Sequence, residues 1–266
     1  MTVPFGHHEL HNRYCFEGTL KLETPLRLSS GRASDATDAP LMRNRAGTPY
    51  IPGSSLRGVI RSEMERLLAA AGPSVGLRSC TLFTRDDGDK ACISVSQKKQ
   101  KTVNDSSDEE TAQQFVEQHL CDMCKLFGST VYASRLAIED VYPREQGSLQ
   151  NKSIIRDGVG IDRDTGTARE NVKFDYEVLE TGPVFILRMQ VENVTDPDRQ
   201  LLNLVLGLLK QGMYIGGKRA AGLGKIRLAT WPVSVKGFES AEELWKAILA
   251  GEDPHKPLLW EKGTSC

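Results

Sequence analysis

The sequence predicts an α+β fold, and three observations carry the prediction. From Tyr14, apolar Tyr14, Phe16, Leu20 and Leu22 alternate with Glu17, Thr19, Lys21 and Glu23, the period of a half-buried strand. Further on, Leu56, Val59, Ile60, Met64, Leu67 and Leu68 recur at helical spacing. A second strand then meets a second helix: Pro183 to Glu192 alternates again, and Asp196-Pro197 opens a helix that Gly212 closes. With a strand-like run on either side of the long middle connection, the order becomes strand, helix, strand, strand, helix, strand. That is the order of a ferredoxin-like (RRM-like) core.

Taken in order, the first strand runs into Ser29 to Asp38, a loop by its Ser, Gly and Asp content. Pro52-Gly53 is a turn, Ser54 or Ser55 a natural N-cap, and the first helix is expected to end near Ala71, before Gly72-Pro73. Residues 73–128 form an insertion with a polar middle, Gln97 to Glu110, and a short helix, Thr111 to Leu120. Val131 to Tyr142 is the expected second core strand. Residues 144–181 read as a protruding β-hairpin with strand-like pieces Ser153 to Thr167 and Val172 to Leu179, and Gly166, in Asp164-Thr-Gly-Thr167, as a turn signal. After the second helix comes a glycine-rich loop, a last strand from Ile226 to Val235, and an amphipathic helix over 240–250. The expected organisation is a single domain over 1–266, with a core of about 13–72, 129–143 and 182–236.

At 266 residues, with 39% hydrophobic and 26% charged residues, the chain is long enough to bury a sizeable core. No apolar run reaches membrane-spanning length, and the start carries no export signal, so the expected location is the cytoplasm. A net charge of −1 is not the footprint of a uniformly basic nucleic-acid binder. The cations are nonetheless clustered, and a local field acts on a ligand more than the sum does.

One cluster surrounds the first helix entrance, Ile51-Pro-Gly-Ser-Ser-Leu-Arg-Gly58. Arg43 and Arg45 precede it, Ser54 and Ser55 stand at the helix start, and Arg57 and Arg61 follow one turn apart. Free amides at a helix N-terminus beside hydroxyls and guanidiniums suit a phosphate oxygen, though an ordinary capped helix with a solvated arginine face has the same pattern. The second cluster is Gly216-Gly-Lys-Arg-Ala-Ala-Gly-Leu-Gly-Lys225. There Gly216, Gly217, Gly222 and Gly224 expose backbone while Lys218, Arg219 and Lys225 supply charge for a polyanion. It has neither the Walker spacing nor the dinucleotide-binding order, which argues against a nucleotide cofactor.

Four of the six cysteines lie in the insertion: Cys80, Cys92 and the pair Cys121-Asp-Met-Cys124. Two thiolates spaced as in Cys121 and Cys124 can take adjacent corners of a zinc tetrahedron, so the alternatives are a structural Zn2+ held by all four or buried free thiols, with His119 as reserve ligand. Cys15 reads as a packed thiol and Cys266 as part of a frayed end. Asp35 and Asp38 lie in a loop without histidine. Such a carboxylate is commonly solvated or capping, but it can also act as a base on a 2′-hydroxyl or bind Mg2+ or Mn2+.

The pairing of Ile51-Pro-Gly-Ser-Ser-Leu-Arg-Gly58 with Gly216-Gly-Lys-Arg-Ala-Ala-Gly-Leu-Gly224 resembles the RAMP superfamily of CRISPR systems, over about Tyr14 to Val235. More narrowly, it is similar to the backbone subunit that polymerises along the crRNA in type III effector complexes. The resemblance implies a ferredoxin-like core, a zinc-binding insertion, and a hairpin thumb that wedges between bases. It also implies partners: crRNA, complementary target RNA, other effector subunits, and further copies stacked along the guide. It places a target-cleaving aspartate shortly before the Pro-Gly-Ser-Ser-Leu turn, which matches Asp38, with Asp35 as alternate. Two other expectations stay open: a scaffold subunit that binds crRNA without cutting, and a RAMP endoribonuclease that processes precursor crRNA through histidine, for which His7, His8 and His11 are the candidates.

Overall fold

A computed structural model of the chain describes residues 9–29, 31, 37–81, 92, 114, 116–130, 132–145 and 152–260. Asp35, His7, His8, Cys266 and the polar run 97–110 lie outside the described residues. The fold is mixed α and β, built on an antiparallel sheet. Along the chain come β1 (Arg13–Leu22), α1 (Gly53–Val75), α2 (Asp122–Phe127), β2 (Leu136–Ile138), β3 (Ser153–Ile161), β4 (Ala168–Leu179) and β5 (Val184–Glu192). There follow α3 (Asp196–Gln211), β6 (Met213–Tyr214), β7 (Lys225–Leu228), β8 (Ser234–Phe238), α4 (Ala241–Ala250) and β9 (Lys256–Pro257).

The sheet runs β2-β5-β1-β7-β6, every neighbouring pair antiparallel, while β3 and β4 form a separate two-stranded sheet that an isolated bridge, Leu26↔Leu179, ties to the rest. β1 is its centre. Along one edge β1 pairs with β5 from Arg13↔Glu192 to Lys21↔Val184; along the other it meets β8 with residues 13–17 and β7 with residues 20–22. The expected last strand, Ile226 to Val235, is therefore two strands that share one edge of β1. A second revision concerns Val131 to Tyr142, where only Leu136–Ile138 is strand and Val141 makes a single bridge to Ile51.

The alternation in β1 buries Tyr14, Phe16, Leu20 and Leu22, and β5 answers with Phe185, Leu187, Met189 and Val191. Leu56, Ile60, Met64 and Leu68 of α1 and Leu201, Leu202, Val205, Leu206 and Leu209 of α3 cover this face, whereas Leu67 is left exposed. α3 begins as its sequence indicates, with a capping box between Thr195 and Asp198 and a proline in its first turn. Asp198 is also ion-paired to Arg135 at 2.8 Å, both fully inside, and Arg135 further donates to the carbonyls of Lys125 and Asn193. This buried network ties the insertion to the start of α3.

Helix α1 departs from expectation at both ends. Pro52 takes the N-cap position and no serine caps it; the Gly53 amide instead donates to Asp140 Oδ1 at 2.8 Å. A side chain at Gly53 would put its Cβ 2.2 Å from the Ile138 carbonyl oxygen, so only glycine lets the helix start so close to the end of β2. At the other end the helix runs through Gly72-Pro73 to Val75. There Gly76 turns at φ 70° and the Leu77 amide closes on Gly72 O. Beyond β8, Ser240 caps α4 by accepting from the Glu243 amide. Only Ala247 of α4 is buried, while Trp245, Ile248 and Leu249 are exposed. Among the described residues no helix is long and apolar enough to cross a membrane.

Candidate nucleic-acid interface and cysteine cluster

The loop bearing Asp38 is docked on the base of the β3–β4 hairpin by reciprocal bonds. Asp38 N–H donates to Asp175 Oδ1 at 2.8 Å, and Asp175 N–H donates to Asp38 Oδ2 at 3.1 Å. The Thr37 hydroxyl adds a third bond to Asp175 Oδ1 at 2.7 Å. Those bonds from Thr37 and the Asp38 amide hold the Asp175 carboxyl below the usual carboxylate range. One residue pair on, the Glu177 amide donates to Ala39 O, and Glu177 Oε2 accepts from the Leu41 amide. Arg43 closes the clasp with Nη2 on Glu177 Oε1 and on Ser153 Oγ, and Nη1 on Gly47 O. Burial opposes the Glu177 charge, but the Leu41 amide, Ser153 and Arg43 outweigh it and keep that carboxyl low. Asp38 remains exposed, with Oδ2 occupied by the clasp.

The glycine loop reaches the same place from the other side. Lys218, held at φ 56°, sets its ammonium 4.2 Å from the Phe174 ring centre and 4.6 Å from that of Tyr176. Arg27 lies 5.2 Å over the Tyr176 ring. Asp38 and Lys218 thus both meet the foot of β4, Asp38 at Asp175 and Lys218 at the rings of Phe174 and Tyr176.

Three of the four glycines serve the chain itself. A Cβ at Gly216 would lie 2.2 Å from Arg27 O, and one at Gly224 1.9 Å from Ile215 O; the Gly217 and Gly224 amides donate to Arg27 O and Pro25 O. Close approach to a ligand is not what those three positions require, because the neighbouring segment already fills the space. Gly222 faces open space at φ 81°. Of the loop cations, Arg219 is exposed, and Lys225 Nζ is 3.2 Å from Glu23 Oε2.

The structure corrects the picture of Arg57 and Arg61 as a solvated face. Arg57 donates to Phe127 O, and Arg61 is buried, with Nε on Glu65, Nη1 on Gly128 O at 2.7 Å and Nη2 3.6 Å from Cys124 Sγ. Nη2 of Arg57 and Nη1 of Arg61 thus serve the carbonyls at the end of α2. Arg45 is exposed beside the Asn44–Thr48 turn, Ser54 is exposed and Ser55 half-buried.

Arg61 leads to the cysteines. The sulfurs of Cys80, Cys92, Cys121 and Cys124 all lie within 4.8 Å of one another, with Cys80 and Cys124 3.3 Å apart. Edges of a tetrahedral zinc–thiolate site are about 3.8 Å for bonds of about 2.3 Å, so the quartet brackets the required size. Cys121 begins α2, accepts from the Cys124 amide, and donates its own amide to Cys92 Sγ at 3.1 Å. Hydrogen bonds from Cys121 and Cys124 lower Cys80 to about 7, while Cys124 is pushed up by Cys121, Cys80 and Cys92. Four adjacent thiols cannot all ionise unless a cation balances them. His119 is exposed and outside the quartet.

Sequence reasoning found Asp38, Lys218 and the cysteines. It missed Asp175, Glu177, Phe174, Tyr176 and Arg27, whose signal was only a strand-like alternation in the hairpin. It assigned no role to the acids Asp157, Asp162 and Asp164. Of these, Asp162 caps the hairpin turn by accepting from the Asp164 and Thr165 amides.

Comparison with known proteins bears on the same span. The CRISPR system Cms endoribonuclease Csm3 of Methanocaldococcus jannaschii is 24% identical over 230 residues, covering 82% of this chain and 79% of that protein. A family profile described as the RAMP superfamily matches residues 19–227, from the middle of β1 to β7 and so including the Asp38 loop, the hairpin and the glycine loop. The chain belongs to the RAMP superfamily.

Proposed function

We propose that the chain is a crRNA-binding backbone subunit of a type III CRISPR effector complex and that it cuts complementary target RNA as an endoribonuclease. The observation that carries this reading is that Asp38 and Lys218 of a RAMP chain both contact the foot of the β3–β4 hairpin. The path β1-α1-β2-β5-α3-β7, with strand order β2-β5-β1-β7, supports a ferredoxin-like core within one RAMP domain over 1–266. The β3–β4 hairpin would be the thumb. Ile155, Val159, Ile161 and Val172 stand exposed along it, which suits insertion between bases.

Phosphates would be held by Arg45, Lys218, Arg219 and Lys225 with Ser54 at the helix start, and Arg43, Arg57 and Arg61 would position that surface from within. Such contacts carry no sequence information, so specificity is left to base pairing. Partners would be crRNA, target RNA, other effector subunits and stacked copies of this chain in the cytoplasm. Cys80, Cys92, Cys121 and Cys124 fit Zn2+, which would cross-link the insertion and, with four protein ligands, leave no position for catalysis.

For cleavage, Asp38 is the residue with reach to RNA. Oδ2 is anchored to the Asp175 amide, so Oδ1 would accept the proton of an attacking 2′-hydroxyl. Among the described residues no cluster of three donors other than the cysteines exists, so Mg2+ or Mn2+ here would depend chiefly on RNA phosphates. The anchored oxygen also favours a second reading, in which Asp38 is a docking residue in a scaffold that does not cut. Co-purification with RNA and affinity for single-stranded RNA that falls steeply with salt are the expected results. Absence of both would overturn the RNA-binding function. Intact binding without target cleavage would leave the scaffold.

A further inference from the structure

Beside the glycine loop, a groove of about 420 Å3 opens between α1, the end of α3 and β6. Its working residues are Glu63, Arg66, Gly212, Tyr214 and Arg219. Tyr214 is on the terminal strand of the sheet path, 41% exposed, with Lys225 as its cross-strand neighbour. Arg66 is 76% exposed and held only by an ion pair to Glu63 one turn back, a contact of little worth in water. Arg219 is exposed on the 3-10 turn Arg219–Ala221. Gly212, at φ 100°, gives a wall without a side chain.

An exposed aromatic ring in one groove with two guanidiniums is the composition of a single-strand stacking platform, where a base lies on the ring and cations follow the backbone. An acidic peptide would also meet the arginines, but it offers neither a base to stack on Tyr214 nor a base amino group to the carboxylate of Glu63. The same carboxylate can accept a hydrogen bond from a base amino group. A volume of this size suits a single nucleotide.

We propose that this groove is a nucleotide subsite for single-stranded RNA, with a base stacked on Tyr214 and its flanking phosphates on Arg66 and Arg219. The proposal rests on the RNA-binding reading above and extends the binding track from the hairpin foot to the middle of α1. The test is fluorescence anisotropy of the full chain with a labelled oligouridine of about twelve nucleotides, titrated in salt. Tyr214→Ala should weaken binding about tenfold with the salt slope unchanged, and Tyr214→Phe should retain affinity. Arg66→Ala with Arg219→Ala should flatten the slope by about 1.4, two phosphate contacts on a single strand. Melting curves unchanged from wild type would confirm that each variant folds. Wild-type binding with Tyr214→Ala within about twofold of it would overturn the subsite and leave the RNA-binding reading standing. No binding by the wild type would remove both, and competition by polyglutamate as effective as that by RNA would reassign the groove to an acidic peptide.

Discussion

The cysteine-bearing insertion and the β3–β4 hairpin are both additions to the same sheet, and they are secured in opposite ways. The insertion sends Leu120, Met123, Cys124, Leu126 and Phe127 fully inside and ties Lys125 and Gly128 to Arg135 and Arg61. Among the described residues the hairpin is secured at its foot, where Asp175 and Glu177 clasp the Asp38–Arg43 loop and Val178 and Leu179 are buried. Beyond the foot, Val159, Ile161 and Val172 are exposed, as is Ile155 opposite Glu177. A two-stranded ribbon is marginal in water without packing. On the proposed reading the insertion would be completed from within, by a metal among four thiols, and the hairpin from outside, by RNA.

The comparison breaks most visibly at the cysteines. Because Cys124 and its neighbours belong to the main core, Cys121→Ser with Cys124→Ser should cost the whole domain stability, lowering the melting temperature by about 10 °C. Elemental analysis of gently purified wild type should return about one zinc per chain, the capacity of one four-thiolate site. A metal-free wild type would reduce the quartet to buried thiols.

At the hairpin the effect should stay local. Glu177→Ala removes the ion partner of the half-buried Arg43 and the acceptor of the Leu41 amide, a cost of about 2 kcal/mol. Hydrogen exchange should quicken at the Leu41 and Glu177 amides while α2 stays protected; equal loosening of both regions would mean that they are one cooperative unit. Acid should act on the foot too. The Asp175 and Glu177 carboxyls are lowered in the folded state, so their contribution is complete above the ordinary carboxylate pKa of about 4 and is lost as pH falls through their depressed values. Exchange protection of the Asp38 amide, corrected for intrinsic rates, should be flat from neutral pH down to about 5 and fall only below about 4. Loss of protection already near neutral pH would contradict the clasp. The smallest effect on folding belongs to Arg45→Ala, with stability within about 0.5 kcal/mol. Its salt slope for RNA binding should nonetheless drop by about 0.7.

What was legible in the sequence was periodic or local. Tyr14 to Leu22 alternates because β1 is buried on one face, Thr195 to Asp198 is a self-contained cap, and Cys121 with Cys124 is a ligand spacing whatever surrounds it. What was illegible depended on partners far along the chain. The start of α1 is capped not by Ser54 but by Asp140, which accepts from the Gly53 amide 87 residues away, and Asp38 meets Asp175 across 137. Arg61 looks solvated at helical spacing until Gly128 and Cys124 fold over it. The last strand divides because β1 offers one edge long enough for both β7 and β8, which its own alternation does not reveal.

The central claim is that Asp38 acts on RNA beyond holding the loop, and replacing it two ways separates these roles. Asp38→Asn can still accept from the Asp175 amide through its side-chain oxygen and keeps the backbone bond to Asp175, but it has neither charge nor basicity; Asp38→Ala also loses the side-chain contact. Measure cleavage of guide-paired target RNA and target affinity for assemblies carrying wild type, Asp38→Asn or Asp38→Ala. The account predicts that both variants lose cleavage by about a hundredfold or more while Asp38→Asn binds target as wild type does. Wild-type cleavage by the Asp38→Asn assembly would contradict it and leave Asp38 as a docking residue in a scaffold.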